Sequence, residues 1–155
     1  MLRFHNYDIV FQEVPGEVTL AVNISNCPNG CKGCHSPYLM DDTGDILDEN
    51  VLAGLLEKYG NAITCVCFMG GDSDPQEVER LSAFLRKAAA GSIRTAWYSG
   101  RQKLPRGCGL RHFDFIKLGP YVESLGGLDC ASTNQRFYLI ENETMVDMTE
   151  SFRKR

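Results

Sequence analysis

The chain lacks several features that would assign it to common functional classes. It has no excess of positive charge, since 16 Lys and Arg stand against 20 Asp and Glu and the net charge is −4. With a pI near 5.4 it offers no basic footprint for nucleic acid, so nucleic-acid binding is not expected. No run of 18 apolar residues could span a membrane, and no long apolar run follows Arg3 as it would in a signal peptide. We therefore expect a cytoplasmic protein with no membrane partner.

The chain also lacks the length of a complete (β/α) barrel, because it has 155 residues where such a barrel needs roughly 250. It has no internal repeat and no linker, so we expect a single domain over residues 1–155, with a sizeable core. The seven cysteines are odd in number and three of them are clustered. Both observations favour a reducing compartment over a disulfide framework.

The clustered cysteines stand at C-x3-C-x2-C spacing, as Cys27, Cys31 and Cys34. Pro28 and two glycines lie between them. This composition excludes a helix and allows the backbone N–H groups to turn toward bound sulfur. Thiolates at this spacing can close around one metal centre, so we interpret the segment as a metal-ligand loop.

Two metals are candidates for this loop. A structural zinc site needs four nitrogen or sulfur ligands, whereas a [4Fe–4S] cluster takes one thiolate per iron. Three clustered cysteines without a second pair leave one iron open, which favours the iron–sulfur cluster. A zinc site completed by His35 or a distant cysteine is the alternative. A third interpretation, small apolar residues in a turn, is disfavoured by Lys32 and by the Pro and Gly content.

Alternating strand and helix patterns predict an α/β fold. Strands are expected at 7–14 (as an edge strand or hairpin), 18–24, 63–69, 93–98, 113–118 and 136–140. Apolar stripes predict helices over 51–59, capped by Asp48 or Asp45, and over 78–88, where Asp74 precedes a first-turn proline. Strand and helix alternation predicts a parallel sheet with right-handed crossovers.

The turns after two of these strands hold candidate ligand-binding residues. Gly70, Gly71 and Asp72 follow the strand at 63–69. Two glycines let a backbone approach a ligand, and an aspartate can accept a hydrogen bond from an ammonium group. Ser99 follows the next strand, and the cysteine loop also follows a strand, at the end where α/β folds bind ligands. An ordinary tight β–α turn is the alternative for the glycines.

The remaining cysteines show no metal-ligand pattern. Cys65 and Cys67 are two apart in an apolar strand, so they share one face, and we interpret them as core residues. Cys108 and Cys130 are isolated, and a second metal site made from these four is a weaker alternative. Trp97 is interpreted as a core residue rather than a stacking platform.

Two charged segments are not assigned a chemistry. The acidic segment 41–49 is interpreted as a solvated loop leading into a helix, and a metal-binding or docking role is the alternative. The segment 101–111 is basic, rich in Gly and Pro and without periodicity, and predicts either a mobile loop or a docking surface.

The motifs and their order resemble those of the radical S-adenosylmethionine enzymes, and among them the anaerobic ribonucleoside-triphosphate reductase activating proteins. The cysteine spacing is specific for the superfamily. The resemblance covers essentially the whole chain and is carried further by Gly33-Cys34-His35, Met69-Gly70-Gly71-Asp72, Tyr98-Ser99-Gly100, Lys117-Leu118-Gly119-Pro120-Tyr121 and Ser132-Thr133-Asn134-Gln135-Arg136. One departure is Asp72, because the superfamily often has Glu there, although Asp is familiar among these activases.

This resemblance implies a partial, laterally open (β/α) barrel of the radical S-adenosylmethionine type. It implies a [4Fe–4S] cluster held by Cys27, Cys31 and Cys34, through which these cysteines take part in catalysis. S-adenosyl-L-methionine would be the second cofactor. Its site would be formed by Gly33, Cys34, His35, Gly70, Gly71, Asp72 and Ser99.

The activity implied is reductive cleavage of S-adenosylmethionine to methionine and a 5′-deoxyadenosyl radical, which abstracts hydrogen from a backbone glycine of the reductase. The implied partners are the anaerobic ribonucleoside-triphosphate reductase and a flavodoxin- or ferredoxin-like electron donor. Two alternatives stay open: a radical enzyme acting on another glycyl-radical enzyme or on a small molecule, and a non-catalytic zinc-binding interaction module.

Overall fold

The computed structural model describes residues 1–29 and 37–153, and the described residues form one mixed sheet of eight strands. The strands are β1 Leu2–Val10, β2 Thr19–Ile24, β3 Asp45–Leu47, β4 Cys65–Met69, β5 Arg94–Tyr98, β6 Phe115–Leu118, β7 Arg136–Glu141 and β8 Thr144–Asp147. The helices are α1 Glu49–Tyr59 and α2 Pro75–Ala88, with short 3-10 turns at Pro37–Met40, Leu110–His112 and Thr149–Phe152.

The strand order is β3-β1-β2-β4-β5-β6-β7-β8. The four central strands, β2, β4, β5 and β6, are parallel. On one side β1 and β3 add antiparallel strands, and on the other side β7 and β8 do the same. The sheet is not closed into a barrel. The predicted α/β class is thus confirmed, but the predicted parallel sheet is correct only at the centre, and β3 and β8 were not predicted.

Both helices begin at the caps that the sequence indicates. The carboxylate of Asp48 accepts a 2.9 Å hydrogen bond from the backbone N–H of Val51, which satisfies a donor that the first turn of α1 leaves free. At the start of α2, the carboxylate of Asp74 accepts a 3.4 Å hydrogen bond from the backbone N–H of Glu77, and Pro75 lies in the first turn. The prediction of Asp48 and Asp74 as caps is confirmed, whereas Asp45 lies in β3.

The two faces of the sheet bury different sets of side chains. On β4, Val66 and Phe68 join the larger cluster, which includes residues of α1 and α2. Cys65 and Cys67 point to the opposite face, where a smaller cluster includes Val14, Ala96, Tyr98, Phe115 and Phe137. Cys65, Cys67 and Trp97 are buried, as predicted for core residues.

The first strand differs from its prediction, which placed it at 7–14. β1 begins at Leu2 and ends at Val10, since it pairs with β2 from Phe4 to Val10 and with β3 from Leu2 to Phe4. Four consecutive residues of β1, positions 5 to 8, are exposed. Backbone pairing therefore defines this strand more than apolar content does. Val14, which the prediction placed in the strand, is buried in the loop that follows β1.

Candidate functional site

A cavity of about 200 Å³ lies at the carboxyl ends of the four parallel strands. Register places Asn23, Met69, Tyr98 and Lys117 side by side across β2, β4, β5 and β6, and all four line the cavity. The loops that leave these strands supply the rest of the wall, including Cys27, Asn29, Gly70, Asp72 and Gly100. The structure therefore brings the first cysteine of the motif and the Gly70–Asp72 turn to one site.

Cys27 is held at the base of its loop by the backbone. Its N–H donates to Leu39 O at 2.8 Å, and the N–H of Asn26 donates to Asp41 O at 3.0 Å. Asn26 has a φ of 59°, which turns the chain out of β2. The half-buried thiol of Cys27 lies 3.5 Å from the amide Nδ2 of Asn29. Cys31, Gly33, Cys34 and His35 of the predicted site lie outside the described residues.

Asp72 is a buried carboxylate that joins three loops. Its Oδ1 accepts a 2.6 Å hydrogen bond from Ser99 Oγ. Its Oδ2 accepts from Asn29 Nδ2 at 2.7 Å and from the backbone N–H of Gly100 at 2.8 Å. A carboxylate has about four lone-pair sites, so these three bonds leave one for a ligand. The turn after β4 is in this way connected to the cysteine loop and to the turn after β5.

The two glycines before Asp72 adopt backbone conformations that side chains disfavour, with φ values of +106° and +96°. A Cβ on Gly71 would also collide with Cγ2 of Val78 in α2. Both polar backbone groups of Gly70 are used by β5, because its N–H donates to Tyr98 O at 3.0 Å and its carbonyl accepts from Trp97 Nε1 at 2.8 Å. The turn is therefore fixed in shape before any ligand binds.

Trp97 has a role that the sequence did not reveal. It is fully buried and stacks on Phe113, with ring centroids 5.6 Å apart. Its indole N–H nevertheless finds a polar partner, the carbonyl of Gly70, as buried tryptophans usually do. A core residue thus sets the position of a cavity-lining backbone group.

Ser99 is buried beneath the site rather than exposed in it. Its hydroxyl donates to Asp72 and accepts a 3.1 Å hydrogen bond from the backbone N–H of Arg101. Its neighbour Gly100 lines the cavity, close to the side chain of Asn29. The structure therefore places Ser99 as a support for Asp72.

Lys117 is a cavity residue that sequence reasoning did not assign. Its side chain is buried, and Nζ donates to the carbonyls of Ser99 and Gly119, each at 3.0 Å. Nζ also lies 5.8 Å from the centre of the Tyr98 ring. A lone cation inside the apolar strand 113–118 was the available signal, because a buried ammonium requires polar partners. Tyr121 and Gln135, from the later segments of the resemblance, also line the cavity.

Three thiols away from the motif, those of Cys65, Cys67 and Cys108, are protonated at neutral pH. Burial raises the pKa of Cys65 to about 12 and that of Cys67 well above its ordinary value. Burial and the nearby Glu79 raise the pKa of Cys108 to about 11. Metal ligation and nucleophilic attack need the thiolate. Within residues 1–29 and 37–153, no group of three or more His, Cys, Asp or Glu side chains is placed to hold a metal ion.

Comparisons of this chain with protein-family models, curated proteins and solved structures find no significant match. None of the helices in the described part of the chain is long and apolar enough to cross a membrane.

Proposed function

We propose that this protein is a radical S-adenosylmethionine activase that generates a glycyl radical on an anaerobic ribonucleoside-triphosphate reductase. One observation carries the proposal. The amide of Asn29 lies 3.5 Å from the thiol of Cys27 and 2.7 Å from the carboxylate of Asp72. The side chain of Asn29 thus contacts both the first cysteine of the motif and the carboxylate that is expected to bind the ammonium of S-adenosylmethionine.

The residues at the cavity fit the two cofactors in their chemistry. Cys27, Cys31 and Cys34 would ligate three irons of the [4Fe–4S] cluster. S-adenosylmethionine would complete the coordination of the iron that has no cysteine ligand. When bound, the cluster would supply the electron for reductive cleavage of S-adenosylmethionine to methionine and a 5′-deoxyadenosyl radical.

Residues of both charges line the cavity, which suits a zwitterionic amino-acid group. The carboxylate of Asp72 retains one lone-pair site. Lys117 lines the same cavity, and its buried ammonium is held by the carbonyls of Ser99 and Gly119. Gly70 brings a backbone without a Cβ to this cavity. In this proposal Asp72 and the second lone pair of the Gly70 carbonyl bind the methionyl end of the cosubstrate. Ser99 and Trp97 hold those two residues in position.

The open sheet suits a protein substrate. A backbone glycine of the reductase has to reach the cavity from outside, and a sheet that ends at β3 and β8 leaves room for such an approach. The proposed architecture is therefore the partial barrel of the radical S-adenosylmethionine type. The proposed location is the cytoplasm, where thiols stay reduced.

Anaerobic reconstitution with iron and sulfide tests the proposal. The wild-type protein should turn brown and, with dithionite and S-adenosylmethionine, form 5′-deoxyadenosine. Cys31→Ala should do neither, whereas Cys130→Ala, which removes an exposed cysteine outside the motif, should behave as the wild type does. A wild-type protein that stays colourless and retains stoichiometric zinc would refute the enzyme and support the interaction module.

The protein substrate needs a separate test. The reconstituted protein is incubated with the reductase, dithionite and S-adenosylmethionine, and the glycyl radical is sought by electron paramagnetic resonance. A radical signal on the reductase supports the proposed activity. Cleavage of S-adenosylmethionine without that signal would point to another glycyl-radical enzyme or to a small-molecule substrate.

A further inference from the structure

The segment 101–111, here called the basic loop, carries a uniform charge. It contains Arg101, Lys103, Arg106 and Arg111 and no acidic residue, in a chain whose net charge is −4. All four cationic side chains are exposed. The loop follows β5 directly, so it begins at the carboxyl edge of the sheet where the cavity lies.

The arginines of the basic loop differ from the other arginines in the described part of the chain. Those outside the loop each have a carboxylate between 2.6 and 3.8 Å away; they are Arg3, Arg80, Arg86, Arg94, Arg136 and Arg153. Among the described residues, no carboxylate forms an ion pair with Arg101, Arg106 or Arg111. Elsewhere the surface balances its arginine charges internally, whereas this loop leaves them available to a partner.

The basic loop is held in place at both ends. The backbone N–H of Arg101 donates to Ser99 Oγ at 3.1 Å, and its carbonyl accepts from Gly119 N at 2.6 Å. Near the other end, the N–H of Gly109 donates to Glu79 Oε1 at 2.9 Å. Glu79 lies on α2, and the same oxygen that accepts this hydrogen bond is 3.6 Å from Nε2 of His112. The basic loop is thus anchored near both ends by its backbone, and its four exposed charges lie on one short segment.

The basic loop borders the candidate site. Gly100, which precedes it, lines the cavity that contains Cys27. On the other side of Asp72, a second cavity of about 260 Å³ is lined by Asp72, Arg101 and Lys103. Asp72 therefore lines both cavities and lies between the candidate site and the basic loop. A macromolecule bound to the basic loop would lie beside the cavity that Cys27 lines.

We propose that the basic loop is the docking surface for an acidic one-electron carrier protein, which delivers the reducing electron to the site. This inference rests on the proposed function, because only a redox site needs such a donor. Complementary charge steers association and sets orientation more than it adds affinity, which suits a carrier that must bind and leave in each cycle. One electron passes from the reduced cofactor of the carrier to the oxidised site, and no bond is made or broken in this step.

The test compares two charge-reversal variants of equal net charge. Lys103→Glu/Arg106→Glu alters the basic loop. The matched control, Lys58→Glu/Lys87→Glu, changes two exposed lysines near the carboxyl ends of α1 and α2, from which the chain returns to the opposite edge of the sheet. The first measurement is binding of oxidised flavodoxin to each protein by calorimetry at low and high salt. The second is 5′-deoxyadenosine formation driven either by reduced flavodoxin or by dithionite, which needs no docking surface.

We expect the basic-loop variant to lose about tenfold or more in flavodoxin affinity and in flavodoxin-driven rate, and to lose most of the salt dependence. Its dithionite-driven rate should equal that of the wild type. The control variant should behave as the wild type does in every assay.

Unchanged flavodoxin binding in the basic-loop variant, or an equal loss of flavodoxin binding in the control variant, would overturn the inference. So would a loss of reductase binding with flavodoxin binding intact, because the loop would then serve the protein substrate. Failure of dithionite-driven cleavage in the wild type would instead count against the proposed function, and the binding measurement would still decide the docking surface.

Discussion

The hydroxyl of Ser99 donates a 2.6 Å hydrogen bond to the carboxylate of Asp72, so the turns after β5 and β4 are joined by their side chains at the edge of the sheet. Asp72 also receives the N–H of Gly100 and the amide of Asn29. The same carboxylate therefore stabilises the fold and forms the proposed ligand site, and substitutions can separate the two roles.

Replacing Asp72 with Ala should lower the free energy of unfolding by about 2–3 kcal/mol, because buried donors from Ser99 and Gly100 lose their acceptor. Asp72→Asn keeps an acceptor for some of these donors and should cost less. Both variants should lose binding of S-adenosylmethionine, since the charge is gone from each. Urea unfolding and calorimetric titration measure the two effects. Equal stability of Asp72→Ala and the wild type would disprove the role of Asp72 in connecting the loops.

Trp97→Phe tests the link between the core and the cavity. The phenyl ring keeps an aromatic contact with Phe113 but removes the hydrogen bond to Gly70 O. We expect a loss of about 1–3 kcal/mol in unfolding free energy, from the unsatisfied carbonyl and the smaller ring. Unfolding has to be followed by circular dichroism, because the chain has no other tryptophan. Weaker ligand binding in a variant that is still folded would support positioning of Gly70 by Trp97, whereas unchanged affinity would limit Trp97 to the core.

Gly71→Ala should destabilise the protein by about 2–4 kcal/mol, since it combines backbone strain with a collision against Val78. Gly16→Ala is a control for strain alone, because Gly16 has a φ of +79° and open space at its Cβ position. In a Val78→Ala background the collision is relieved, and the cost of Gly71→Ala should fall toward that of Gly16→Ala. A cost that does not depend on residue 78 would show that strain alone determines the effect.

The buried thiols predict both a modification order and a pH dependence. Iodoacetamide should modify the exposed Cys130 in the native protein, and Cys65 and Cys67 only after unfolding. Burial raises the pKa of Cys65 to about 12, whereas an unfolded cysteine has a pKa of about 8.5. The unfolded chain thus loses protons first, so this contribution to stability is complete below about pH 8.5 and declines as the pH rises toward 12.

The matched variant for this pH dependence is Cys65→Ala/Cys67→Ala. Urea unfolding between neutral and alkaline pH should give a shallower decline for the variant than for the wild type. Groups such as Tyr and Lys titrate in both proteins, so their contribution cancels in the comparison. Parallel declines would show that neither thiol contributes.

The elements that the sequence predicted well are those whose signals are local. Asp48 and Asp74 were identified as caps because a cap is a short-range pattern of side chain and backbone, and Cys65 and Cys67 because apolar strands bury whole faces. β3 was not predicted because Asp45 belongs to an acidic segment and becomes a strand only by pairing with Phe4. Such pairing depends on residues far away in the chain.

The candidate site was predictable in its components but not in its connections. Gly70, Gly71 and Asp72 form a recognisable turn, and their position after a strand indicates the correct edge of the sheet. Nothing local in the sequence indicates that Asn29 bonds to Asp72, or that Trp97 bonds to Gly70 O. These contacts span 43 and 27 residues, so they depend on the register of the assembled sheet.

The two outermost strands, β3 and β8, have only three and four residues, and each contains an aspartate. Two copies meeting strand to strand at these edges would gain few backbone hydrogen bonds and would bring anionic side chains close together. Short, charged edges of this kind are a known protection against the growth of sheets into fibrils. The sheet is left unclosed at these two edges, so their short length and charge limit the pairing of one copy with another.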